Sequence, residues 1–191
     1  MNPLKIFENW YKEELFRTSV SIPSACCLST IGLDRYPNAR FVSLKAIDGE
    51  SFIITGPTSS RKGMELDAIP KAALTFWWTE TERQVRIQGD VQPLEVKIAD
   101  LYFKERNLTA QLISNHFDQG EPFGNPTLHF EEFKKDMKER GAHEIERPAN
   151  WGGYRINPVR IEFLKFDESR FHNRQLFVKT ENDWHATFLQ P

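Results

Sequence analysis

Apolar residues first fall at helical spacing, at Leu4, Phe7, Trp10, Tyr11 and Leu15. They follow Asn2 and Pro3, a good cap and first-turn pair for a helix. From residue 25 the pattern changes to short β-like runs separated by turn signals. These predict strands over Ala25–Thr30, Arg40–Ala46, Phe52–Thr55, Ala72–Trp78 and Gln84–Val91, with a short helix over Lys62–Ala68 after the Gly56-Pro57 turn. Three- and four-residue steps then predict helices over Val96–Glu105, Ala110–His116 and Leu128–Arg140, with a polar loop from Phe117 to Pro126. After a polar stretch ending at Pro148, strands are expected at Gly153–Ile156, Arg160–Phe166, Phe171–Lys179 and Trp184–Leu189. Strands occupy both ends and helices are inserted between them, without repeats or a linker. The pattern predicts one domain over residues 1–191, of α+β class, built around a β-barrel with flanking helices.

Composition narrows this only slightly. A chain of 191 residues suits one sizeable core, and 15 Phe and 5 Trp mean that large rings must fill much of it. The net charge of -2 argues against a general nucleic-acid or anionic-membrane binder, so any cationic site has to be local. The N-terminal run lacks the apolar segment of a secretion signal, and no run approaches the ~20 apolar residues of a membrane span. A cytoplasmic location is expected. Cys26 and Cys27 are neighbours in a buried-strand pattern and read as core packing. The five histidines form no metal-ligand pattern with them, so no metal is expected.

Three constellations could carry chemistry. In Ser60-Arg61-Lys62, Ser60 is placed to cap a helix whose first turn then carries two cations, where the helix dipole disfavours them. Either an anion sits there, held by backbone N–H groups and both cations, or this is an exposed basic pair. In Arg170-Phe171-His172-Asn173-Arg174, a strand would put Arg170, His172 and Arg174 on one face. That face is a cationic ligand site with a proton-handling histidine, or a solvated surface. Gln84, Arg86 and Gln88 share one face of a strand, which fits a heteroaromatic ring edge or simply an amphipathic edge strand. Tyr102 and Arg106 lie side by side if helical, able to clamp a phosphate or to form a surface face. Arg40 and Lys45, five apart, point to opposite faces unless their strand bulges.

Taken in order, these segments resemble the pyridoxamine 5′-phosphate oxidase family. The match runs from Asn2-Pro3-Leu4 through Arg40-Phe41-Val42-Ser43-Leu44-Lys45, Ser60-Arg61-Lys62, Glu82-Arg83-Gln84-Val85 and Trp151-Gly152-Gly153-Tyr154. It continues over the Arg-x-His-x-Arg segment to Leu189-Gln190-Pro191. The resemblance implies an antiparallel, Greek-key split barrel of the FMN-binding type, assembled as a homodimer with FMN in clefts between subunits. It implies that Arg40, Arg61, Lys62 and Gln84 meet FMN from one subunit, and Gln119 and Arg174 from the other. Phe41, Val42, Lys45, Thr55, Gly56, Gly120 and Leu164 also match cofactor-contacting positions. Lys45, Tyr102, Arg106 and Ala110 match the substrate-phosphate set, while Arg170 and His172 match the catalytic pair over the substrate ring. The implied reaction oxidises pyridoxamine or pyridoxine 5′-phosphate to pyridoxal 5′-phosphate, with O₂ as acceptor and hydrogen peroxide as product.

The sequence departs from the family pattern at several of these positions. Ala110 stands where a serine is usual, Leu164 where an aromatic is usual, and Thr55-Gly56 where Tyr-Thr is usual. Gly120 replaces a common serine and Asn173 a common aspartate. The chain starts at its first helix, without the basic extension that covers the substrate in many members. Losing one neutral hydrogen bond to the phosphate costs about 0.5–1.5 kcal/mol, up to roughly tenfold in affinity. The resemblance therefore leaves two alternatives: a related FMN oxidase acting on another ring, such as a phenazine precursor, and a non-catalytic flavin- or pyridoxal-phosphate-binding module.

Overall fold

The first helix forms as its sequence dictates. In the computed structural model, which describes residues 2–140, 145–181 and 183–191, α1 spans Pro3–Arg17 and the Asn2 Oδ1 accepts the Leu4 N–H at 2.9 Å. Leu4 and Phe7 are buried, and Trp10 and Tyr11 pack against the core. Leu15, expected on that face, is instead 40% exposed; Glu14 takes the buried place and accepts from the Thr81 hydroxyl at 2.9 Å.

The strands are β1 (Ala25–Ile31), β2 (Pro37–Ser43), β3 (Ala46–Asp48), β4 (Ser51–Pro57), β5 (Lys71–Trp78), β6 (Arg83–Pro93), β7 (Trp151–Lys165), β8 (Asn173–Lys179) and β9 (Trp184–Leu189). They form one antiparallel sheet in the order β2-β1-β5-β6-β7-β4-β3, with β8 joined to β7 and β9 to β8. The sheet curls into a split barrel, and five helices flank it among the described residues. Leu28, Leu74, Ile87, Ile161 and Phe177 lie opposite one another across β1, β5, β6, β7 and β8, and all are fully buried. Alternation then turns Gln84, Arg86 and Gln88 to the other face, as expected. Phe7 closes the core edge-on against Phe52 and Phe76, at 4.9 and 5.1 Å between ring centroids.

Four expectations change. The strand expected over Arg40–Ala46 breaks after Ser43, and Leu44 and Lys45 bridge to β3. That break frees Lys45 from the alternation that would send it away from Arg40. The strands expected at Gly153–Ile156 and Arg160–Phe166 are one strand of 15 residues, β7. Pro158, which has no N–H to give, is accommodated where the register with β6 shifts between Gln88 and Gly89. Gln84 is not on an edge: β6 is flanked by β5 and β7 along its length. Finally, the strand expected from Phe171 begins only at Asn173. Residues 141–144, in the polar stretch expected after Arg140, lie outside the described residues.

The helices α3 (Val96–Lys104), α4 (Leu108–His116) and α5 (Pro126–Arg140) bring Phe103, Leu112 and Phe133 into a second core with Ile145 and Trp151, the first residue of β7. Cys26 is buried, and Cys27 partly so; both are free thiols. Among the described residues no helix is long and apolar enough to cross a membrane.

The helix α2 (Arg61–Ala68) docks so closely that a Cβ on Gly63 would lie 2.0 Å from the Thr58 carbonyl oxygen. Its Glu65 carboxylate is fully buried and accepts from Thr30 Oγ1 (2.6 Å), Asn38 Nδ2 (2.9 Å), Arg40 Nη2 (2.8 Å) and Arg61 Nε (3.0 Å). Burial alone raises its pKa, but these four donors outweigh that and hold it at about 2, below its ordinary 4.5. A lowered carboxylate pKa adds stability above about pH 4.5, which is lost as pH falls towards 2. Glu65→Gln is therefore expected to lower the melting temperature at pH 7, with the gap to the parent closing between pH 4.5 and 2. Thermal melts across that range check this; a gap independent of pH would show that the carboxylate charge contributes nothing.

Candidate functional site

Two adjoining clefts open where β2, β4, α2, α3 and α4 meet. The larger, of about 600 Å³, is lined by Phe41, Val42, Lys45, Thr55, Gly56, Lys62, Tyr102, Arg106 and Gln119. The smaller, of about 180 Å³, adds Arg40, Arg61 and Gly120. Twelve of the residues singled out in the sequence thus converge. Ala110 lies on α4 and does not line either cleft. A separate groove of about 420 Å³, over Ser29, Lys71, Asp90 and Arg160, gathers only Gln88 of them.

The cations of these clefts fall into two kinds. Arg40 and Arg61 are neutralised: both bind Glu65, and Arg61 also reaches Asp34 at 3.0 Å. Lys62 and Arg106 have no carboxylate partner among the described residues. The Lys62 ammonium donates to Ser60 Oγ and Gln119 Oε1, each at 2.7 Å. Burial, with the nearby Arg40 charge, pushes its pKa down to about 8. Arg106 donates to Ser114 Oγ at 2.8 Å and lies over the Trp151 ring, 4.9 Å from its centroid. Burial lowers its pKa as well. Lys45 sits at 5.2 Å over the Tyr102 ring and pairs with the exposed Glu105 at 2.7 Å.

Ser60 stands at the N-cap of α2 but makes no side-chain cap, contrary to expectation. Its hydroxyl donates back to the Pro57 carbonyl at 2.6 Å and accepts from Lys62. The first turn of α2 is thus left without a side-chain acceptor, beside a partly buried lysine. A phosphate supplies what that arrangement lacks, an anionic acceptor. The donor set therefore fits phosphorylated ligands, with Lys62, Tyr102 and Arg106 lining one cleft.

The remaining predicted residues form a second group. Gln84 pairs with Leu164 on β7, and Leu164 with Arg174 on β8, so the three share one row of the sheet. Arg174 is held by two N–H contacts to Glu162 Oε1, at 3.1 and 2.7 Å, and Arg86 reaches the other oxygen at 3.2 Å. Gln119 was expected opposite Lys62, across a subunit boundary, and Gln84 beside it. Within the chain, Gln119 bonds Lys62, and Gln84 lies in one row with Leu164 and Arg174.

Arg170 and His172 do not share a strand face with Arg174. They lie in the turn before β8, where the Arg170 N–H bonds the Asp167 carbonyl and Arg170 adopts a left-handed φ of 68°. His172 Nδ1 accepts the Asp167 N–H at 3.1 Å, which leaves Nε2 as the N–H donor of the neutral ring. Its ring packs at 5.0 Å on Phe166, which meets Trp77 edge-on at 4.9 Å. The sequence reading missed Glu65, Glu162, Ser114 and the support given by Trp151. Only Glu65 had a readable signal, its i,i+4 spacing from Arg61 on a helix.

Comparison with known proteins places this geometry. Residues 13–141 match the family model described as pyridoxamine 5′-phosphate oxidase. Residues 151–191 match the one described as the pyridoxine 5′-phosphate oxidase C-terminal dimerisation region. The pyridoxine/pyridoxamine 5′-phosphate oxidase of Thermosynechococcus vestitus is 36% identical, over all of this chain and 89% of its own length. That of Caulobacter vibrioides is 38% identical, over all of this chain and 85% of its own. Among solved structures, PhzG from Burkholderia lata 383, in complex with tetrahydrophenazine-1-carboxylic acid, superposes with a TM-score of 0.93. It is 26% identical, with 100% of this chain and 93% of that one covered. With both regions matched and relatives this similar along the whole chain, the protein belongs to the pyridoxamine 5′-phosphate oxidase family of oxidoreductases.

Proposed function

We propose that the protein is an FMN-dependent oxidase converting pyridoxine or pyridoxamine 5′-phosphate to pyridoxal 5′-phosphate. The observation that carries this reading is the pair of partly buried cations, Lys62 and Arg106, that share one cleft and have only neutral hydrogen-bond acceptors. Two such cations in one cleft suit two phosphorylated ligands. Flavin chemistry supplies the two-electron oxidation, with O₂ as terminal acceptor and hydrogen peroxide as product.

The protein's part is binding and orientation. Lys62 and the start of α2 hold the cofactor phosphate, with Arg40 and Arg61 kept in place behind them by Glu65. Lys45, Tyr102 and Arg106 hold the substrate phosphate. Gln84, Leu164 and Arg174 complete the cofactor site from a second copy of the chain. That copy also brings Arg170 and the Nε2 donor of His172 over the substrate ring. The matched dimerisation region supports that assembly.

A second reading is oxidation of a phenazine precursor, favoured by the superposition on PhzG. Identity supports the vitamin reading instead. The chain is 36% identical to the pyridoxine/pyridoxamine 5′-phosphate oxidase of Burkholderia lata, against 26% to PhzG of that organism. Purified protein is expected to carry flavin absorbance and to form peroxide and pyridoxal phosphate from pyridoxine phosphate. Bound flavin with turnover only of another aromatic ring would select the second reading, and bound flavin with no turnover would sink both.

Lys62→Ala is expected to raise the FMN dissociation constant about tenfold or more; an unchanged constant would contradict its placement. Because the free Lys62 titrates at about 8 and binds an anion only when charged, FMN affinity is expected to fall as pH rises through 8. That fall should be absent in Lys62→Arg. His172→Ala and Arg170→Ala are expected to keep FMN but slow its reduction by substrate about 10²-fold. Loss of flavin from either variant would assign these residues to the wrong ligand.

A further inference from the structure

We infer that Ser114, on the cleft face of α4, is a substrate-phosphate ligand of this enzyme and the residue that sets the aim of Arg106. The inference rests on the proposed reading of this cleft as the substrate-phosphate site. Arg106 is partly buried, has no carboxylate partner among the described residues, and lies over Trp151 at 4.9 Å and Phe103 at 5.9 Å. Stacking fixes the plane of the guanidinium, but not its rotation within that plane. Ser114 supplies the second constraint by accepting from Nη1 at 2.8 Å. The rest of the fork is left for an anion.

The hydroxyl's own proton is the second half of the case. Ser114 Oγ donates to the Ala110 carbonyl oxygen at 3.1 Å, one helical turn back. That carbonyl lies four residues before Ser114 within α4, where the helix ladder already uses it. The hydroxyl proton therefore rests on a partly satisfied neutral acceptor. Ser114 lines the same cleft as Lys45, Tyr102 and Arg106, and a phosphate there is a far stronger acceptor. A rotation about the Cβ–Oγ bond moves the proton to the phosphate while the oxygen still accepts from Arg106. Ala110, on the same helix face, offers no hydroxyl, so Ser114 is the hydroxyl α4 brings to this cleft.

The test uses flavin-saturated protein, so that the cofactor-phosphate position is filled. Binding of inorganic phosphate and of pyridoxal 5′-phosphate is followed by calorimetry and by Trp fluorescence, alongside the KM and kcat for pyridoxine phosphate. Ser114→Ala is expected to weaken both binding constants and raise KM about tenfold, with kcat changed less than KM. Ser114→Thr, which keeps the hydroxyl, is expected to stay within about twofold of the parent. A purely structural back-bond would instead shift the melting temperature and leave the phosphate constant alone. Equal phosphate constants in the parent and Ser114→Ala overturn the inference, as does an absence of phosphate binding in the parent. If the parent binds phosphate in a Ser114-dependent way but does not oxidise pyridoxine phosphate, the substrate reading fails and the assignment of Ser114 stands.

Discussion

The strand β7 is the constraint on which the rest of the site depends. Its 15 residues run unbroken from Trp151 to Lys165, and its two ends meet different groups of candidate site residues. At the start, Gly152 pairs with Gly56 of the cleft and Trp151 carries Arg106. Near the far end, Leu164 lies between Gln84 and Arg174. Twelve residues separate Gly152 from Leu164, about 40 Å of strand contour at 3.3 Å per residue. On the proposed reading these two groups are half-sites, and a second copy brings its Arg174 end to the first copy's Lys62 end, an assembly that the matched dimerisation region supports.

Electrostatics separates the cations that build the site from those that serve ligands. Glu65 binds Arg40 and Arg61, and Glu162 binds Arg174 and Arg86, so each carboxylate holds two guanidiniums at a fixed place. Such groups order the walls, and their remaining N–H groups can still meet a ligand. Lys62 and Arg106 differ because burial lowers their pKa and, among the described residues, no carboxylate offsets it. An arriving phosphate offsets that desolvation by pairing with both charges. The hydroxyls of Ser60 and Ser114 keep both cations aimed in the meantime.

Much of this was legible in the sequence. Alternation in β5 and β6, helical spacing in α1 and α3, and the Asn2 cap all express local chemistry that the chain carries residue by residue. The order of the motifs identified the family and most of the cleft. The turns and pairings that depend on which partner a residue finds were not legible. Pro158 reads as a strand breaker until the register shift opposite Gly89 accommodates it, and Arg170 reads as strand until the Asp167 turn claims it. The neighbours of Gln84 depend on which strands pair, and that of Gln119 on where its loop meets Lys62, which no spacing reveals. Ser114 was hidden because its partner Arg106, expected on one helix face with Tyr102, lies instead in the turn between α3, which ends at Lys104, and α4.

The most direct measurement is complementation between half-site variants. One chain carries Lys62→Ala and Arg106→Ala; the other carries His172→Ala and Arg174→Ala. Each alone is expected to be inactive. Coexpressed, the heterodimer has one site with all four changes and one with none, so it should regain about half the parent activity per dimer. Complementation failing in a heterodimer shown to form would contradict the shared site and place both groups in one chain's own cleft.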